Sequence, residues 1–84
     1  MMTISLIKLH EGDEAKVESI AAGKDATKRL YEMGLNTKAR ISVLKNDFGP
    51  VLASVNGNKI AIGRGLAEKV MVQKTEKEDE NRDE

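Results

Sequence analysis

The sequence predicts a mainly β fold: a small five-stranded antiparallel barrel with one α-helix over about residues 25–33 and short helical turns. Three observations carry this. Five short runs are rich in branched aliphatic residues, and most alternate apolar and polar positions, the period of a strand with one wet face. Asn56-Gly57 stands between two of these runs, and that pair favours a type I′ turn because both of its positions need positive φ. A single run has helical spacing, and it stops at Gly34, where only glycine takes the left-handed conformation without strain. Five short strands make too small a sheet for a sandwich, whereas curling into a barrel removes exposed edges.

The elements follow in order. Ser5–His10 has three apolar residues without alternation and reads as a turn or a single helical turn that lays Leu6 and Leu9 over one end of the core. Residues 14–20 form the first strand, with Glu14, Lys16 and Glu18 outward; Ile20 breaks the parity and predicts a bulge or the strand's end there. Gly23-Lys24 is loop, and Asp25 is the expected N-cap, its carboxylate accepting from free amides of the first turn. Ala26, Leu30 and Met33 then recur on one helical face. A helix of about three turns is not stable alone, so Leu30 and Met33 must pack on the sheet. Residues 39–44 are the second strand, with Ile41 and Val43 inward, and residues 46–50 are a loop. Residues 51–55 and 58–62 form a hairpin about Asn56-Gly57, with Ile60 and Ile62 inward. Residues 63–69 make one helical turn, and 70–73 are the last strand, placed beside the first.

The 84 residues suffice for one small domain, here residues 1–73. Residues 74–84 contain no apolar side chain and are predicted to be a charged, disordered C-terminal tail. That tail has three positive and six negative residues, which leaves eleven and eight in the body and a net charge of zero overall. The balance, with Tyr31 and Phe48 as the only aromatics, argues against a nucleic-acid interface, which needs a basic face and stacking rings. The same scarcity argues against a groove for proline-rich peptides. There is no cysteine, no apolar run long enough for a membrane helix and no signal-peptide pattern, so a cytoplasmic location without direct membrane insertion is expected.

The order of motifs resembles the FeoA family. The resemblance lies in Leu6-x-x-Leu9-x-x-Gly12, Ala15-x-Val17-x-x-Ile20, Ile41-x-Val43, the Asn56-Gly57 hairpin and Ile60-Ala61-Ile62-Gly63 followed by Ala67-x-x-Val70-x-Val72. Its most specific part is Arg29-Leu30-x-x-Met33-Gly34-Leu35. What the resemblance implies is an SH3-like barrel that accompanies the ferrous-iron transporter FeoB as a stand-alone cytoplasmic accessory or regulatory protein. The same domain type also ends metal-dependent repressors, so the alternatives are an SH3-like domain of metal-dependent transcriptional regulation or a nucleic-acid-binding small barrel. The chain departs from the family's Pro-Gly after Met-Gly-Leu, having Thr37-Lys38 there. Either the turn changes type, or Lys38 adopts positive φ.

No catalytic set is legible, and no enzyme activity or cofactor is expected. Gly63-Arg64-Gly65 lacks the spacing of a phosphate loop and reads as turn glycines. His10, Glu11, Asp13 and Glu14 fall within five residues but read as a polar turn, and no metal site is assigned to them. What remains is a protein-binding surface. Lys28, Arg29, Tyr31 and Glu32 lie on the outer helix faces, with Arg29 spaced to pair with Asp25 or Glu32. Leu44, Leu52 and Met71 have outward parity on their strands, and either form an exposed apolar patch that belongs to this surface or lie covered by the helix and the turns.

Overall fold

The computed structural model describes residues 3–75. Six strands form one antiparallel sheet: β1 (Thr3–Ser5), β2 (Glu14–Ile20), β3 (Arg40–Lys45), β4 (Val51–Val55), β5 (Asn58–Ile62) and β6 (Val70–Thr75). Their order across the sheet is β1-β6-β2-β3-β4-β5. The sheet curls round the core as a barrel-like SH3-type unit, although its edge strands β1 and β5 are not paired with each other. Five strands were expected. The sixth, β1, is three residues long, too short for its polar-apolar-polar alternation to register as a period. It pairs with β6, Ile4 opposite Val72.

The expected adjacency of the 14–20 and 70–73 segments holds, with Val17 opposite Val72. Parity is broken two residues before Ile20: the β2–β6 register shifts between Val17 and Ser19, and β2 ends at Ile20. β6 runs on to Thr75, two residues past the predicted boundary, with Lys74 opposite Ala15 and Thr75 opposite Glu14. The remainder of the predicted tail lies outside the described residues.

The inward parity of the strands builds the core. Ala15, Val17, Ile41, Val43, Val51, Ala53, Val55, Ile62, Val70 and Val72 are all buried, and no polar side chain among the described residues is buried with them. Leu6, the first residue of a single 3-10 turn (Leu6–Lys8), and Leu9, just after it, close one end as predicted. The helix α1 (Lys24–Glu32) supplies Leu30, fully buried, while Met33 and Ile60 are half-buried against the core. Burying a side chain such as Leu30 contributes roughly 1.5–3 kcal/mol.

Asp25 does not cap α1. Gly23 takes the extended N-cap conformation, and its carbonyl accepts from Thr27 N–H at 2.9 Å. Asp25 instead sits in the first turn, where the helix dipole favours a carboxylate. The C-terminus closes as predicted. Leu35 N–H reaches Leu30 O at 2.9 Å and Gly34 N–H reaches Tyr31 O at 3.0 Å, the paired bonds of a Schellman motif. Gly34 has φ +99°, and buried Leu35 and Leu30 provide the accompanying apolar contact.

Two turns resolve as the residue types require. Asn56 and Gly57 both have positive φ, as a type I′ hairpin demands. In the turn Asn36–Ala39, closed by Ala39 N–H to Asn36 O at 2.9 Å, Lys38 adopts φ +76°. The turn therefore keeps its type, and a lysine bears the left-handed strain. A four-residue helix α2 (Arg64–Ala67) precedes β6. No helix among the described residues is long and apolar enough to cross a membrane.

Candidate functional site: an apolar corner on a clamped loop

The β3–β4 ladder pairs Val43 with Ala53 and then Lys45 with Leu52, so Leu44 is the extra residue of a bulge. A bulge twists its strand and re-aims a side chain. Leu44 and Leu52 both remain 38% exposed, and Ala61, opposite Leu52 on β5, is exposed beside them. The loop joining β3 to β4 carries Phe48, which is 94% exposed. The corner thus presents an aromatic ring and two leucines where the core has no use for them.

The loop is held from α2. Arg64 Nη1 donates to Asn46 Oδ1 at 2.9 Å, to Asp47 O at 3.0 Å and to Gly49 O at 3.1 Å. The last two acceptors flank Phe48. Asn46 turns its amide the other way, donating through Nδ2 to Ile7 O at 2.9 Å and Leu9 O at 2.6 Å. One arginine and one asparagine thereby tie together the 3-10 turn, the β3–β4 loop and α2. Gly63 precedes the short helix as its N-cap, whereas Gly65, expected as a turn glycine before it, lies within α2, and the arginine between them has a positioning role that no local pattern displays. Phe48 was read as loop and nothing more. Its one sequence signal is that an isolated aromatic in a turn-forming stretch has no periodic apolar neighbours to join.

The predicted patch is divided. Leu44 adjoins Lys45, the register partner of Leu52, but Met71 is half-buried on β6, opposite Ser5 and Ser19 and separated from β3 by β2. Leu44 instead follows Val43, whose carbonyl accepts from Gly12 N–H beyond the other end of β2. Met71 also accepts a weak bond from Ser5 Oγ at 3.8 Å. On α1, Lys28, Arg29, Tyr31 and Glu32 are all exposed, Tyr31 to 47%. Arg29 forms no ion pair with Asp25 or Glu32.

The polar turn is tied into the fold. Asp13 Oδ2 accepts from the backbone N–H of His10 at 2.8 Å, and Oδ1 faces Lys74 Nζ at 3.5 Å. The His10 amide, foremost, and the Lys74 charge hold the Asp13 carboxyl below the ordinary carboxylate range, against a smaller opposing effect of burial. Among the described residues, no three His, Asp or Glu side chains come together in a way that could hold a metal ion.

These features define a class first: a small SH3-like β domain. The family follows from comparison. The model of the FeoA domain matches residues 4–74. The "Putative Fe(2+) transport protein A" of Methanocaldococcus jannaschii is 48% identical over 71 residues, covering 84% of this chain and 87% of that protein. A crystal structure of an iron uptake regulatory protein (FeoA) superimposes with a TM-score of 0.82 at 41% identity, covering 89% of this chain and all of that one. A manganese-dependent transcriptional repressor shares the fold, with a TM-score of 0.82 at 17% identity over 89% of this chain and 42% of its own. The chain belongs to the FeoA family.

Proposed function

We propose that this chain is a cytoplasmic accessory protein of ferrous-iron uptake and acts by docking on the cytoplasmic domain of a FeoB-type transporter. Membership of the FeoA family and the 48% identity to an Fe(2+) transport protein support the iron-uptake role. The observation that carries the docking mode is the exposed Phe48 on a loop clamped by Arg64, beside Leu44 and Leu52. Aromatic anchors dominate interface energetics, and an anchor fixed before binding loses less entropy when it docks. The outer face of α1, with Lys28, Arg29, Tyr31 and Glu32, is the second contact surface. Regulation then requires only that the corner bind one conformation of the transporter better than another.

The test is a titration of the isotope-labelled chain with the transporter's isolated nucleotide-binding domain, in the nucleotide-free, diphosphate and triphosphate states. The expected result is saturable chemical-shift change at Leu44, Phe48 and Leu52. Absence of binding at high concentration in every nucleotide state overturns the proposal.

A further inference from the structure

A second surface lies on the outer face of β2 and β3. Lys16 and Arg40 stand directly opposite each other there. The bond from Val17 N–H to Ala39 O marks the neighbouring pair as the hydrogen-bonded one. Lys16 and Arg40 are therefore a non-hydrogen-bonded pair, the kind in which Cα atoms approach to about 4.5 Å and side chains stand closest. Like charges so placed repel. Both side chains are exposed, and neither is paired with a carboxylate among the described residues.

Of the carboxylates nearby, Glu18 and Asp13 are turned to other uses, and Glu14, two residues from Lys16 on the same face, forms no ion pair with either cation. Glu18 accepts from Thr3 Oγ1 at 3.1 Å and Gln73 Nε2 at 3.0 Å, both neutral donors. Asp13 faces Lys74. Beside the pair runs an open groove of about 290 Å³, lined by Arg40, Ser42, Ser54, Asn56, Thr75 and Glu14. Beyond Ser54, in register with it on β5, comes Lys59. The face thus offers spaced cations joined by hydroxyl and amide groups, with stability forgone to hold two of the cations together.

We propose that this face docks an acidic, extended peptide segment of a partner protein. Carboxylates at alternate positions of an extended chain share one side, about 7 Å apart, which suits long basic side chains rooted on neighbouring strands and hydroxyls between them. Glu14 within the groove disfavours a compact dianion such as phosphate but leaves room for single charges on either side of it. Nucleic acid is disfavoured because both aromatics, Tyr31 and Phe48, belong to other surfaces. A lipid surface calls for a denser cluster of roughly four to eight basic residues.

The probe is a synthetic acetylated and amidated Glu-Thr-Glu-Thr-Glu-Thr peptide, titrated into the isotope-labelled chain at low salt. Shifts are expected on β2 and β3 and are expected to fade with added salt. The K16E/R40E variant is expected to bind at least tenfold more weakly, whereas K24E/K69E, at two exposed lysines away from this face, is expected to bind as before. Equal losses in the two variants overturn the proposal, as does equal binding of a Gln-for-Glu peptide. Inorganic phosphate reproducing the same shifts makes the site one for small anions and also overturns it. A chain cut after Thr75 is the final arm: if the β2–β3 signals of the free protein move on truncation, the occupant is residues 76–84 and not a partner.

Discussion

Removing the Arg64 guanidinium is the perturbation that separates a clamped corner from an ordinary loop. Arg64→Met retains most of the aliphatic stem and takes away only the donors. Three bonds are lost, at 2.9, 3.0 and 3.1 Å. Hydrogen bonds to charged groups contribute about 1.5–3 kcal/mol each when shielded from water. Only the bond to Asn46 is part-buried; those to the Asp47 and Gly49 carbonyls are exposed and count for a fraction of that. The expected loss is about 2 kcal/mol in total, or roughly 10 °C in Tm for a domain of this size. Asn46→Ala is the more damaging change, because it also leaves the Ile7 and Leu9 carbonyls without their donor; about 2–3 kcal/mol is expected. The two losses are not additive, since each variant breaks the Asn46–Arg64 bond, and a coupling of about 1 kcal/mol is expected in the double variant. Urea unfolding followed by far-ultraviolet circular dichroism measures all three. A loss below about 0.5 kcal/mol in Arg64→Met, or strict additivity, refutes the clamp.

Lys38→Gly is expected to raise stability by about 0.5–1 kcal/mol, because it relieves a left-handed lysine while adding freedom to the unfolded chain; a lowered urea midpoint contradicts this. Asp13 has a folded pKa below its unfolded value, so its contribution is fully present above the unfolded pKa, near about 4, and is lost as pH falls through the folded one. Stability measured from pH 5 downward is expected to fall through this window, and to fall less in Asp13→Asn; an unchanged acid limb in that variant rules out the assignment. The double change Leu44→Ser and Leu52→Ser touches two half-exposed side chains and is expected to cost at most about 1 kcal/mol of stability. It is expected to weaken docking on the transporter domain by about tenfold or more, the equivalent of about 1.4 kcal/mol, and unaltered affinity would remove these leucines from the interface.

The inward strand positions were legible because period 2 is a local property: Ala15, Val17, Ile41, Val43 and Ile62 each announce themselves within a few residues. The stop of α1 was legible for the same reason, since Gly34 and Leu35 carry the Schellman geometry in their own identities. Its start was less so, because Gly23 and Asp25 both suit an N-cap and only the backbone conformation decides between them. The strand Thr3–Ser5 escaped notice because its existence depends on β6, nearly the whole chain away. The corner was half-visible. Outward parity marked Leu44 and Leu52, but the same rule grouped Met71 with them, since parity tells which side of a strand a residue faces and nothing about where along the sheet it stands. The Arg64–Asn46 bond joins residues 18 apart through geometry alone, and no residue pattern encodes it.

The place of β6 has a consequence for how the molecule comes into being. Latest in sequence among the described strands, β6 is flanked by β1 on one side and by β2 on the other, with Ser5 opposite Met71. Residues 70–75 must be in place before β1 has a strand to join it to the rest of the sheet, and pairings this remote in sequence close slowly. A nascent chain halted before Val70 therefore holds its β2–β5 meander with one flank of β2 bare and the Thr3–Ser5 segment without a mate. Any cut that removes β6 therefore abolishes the domain instead of shortening it.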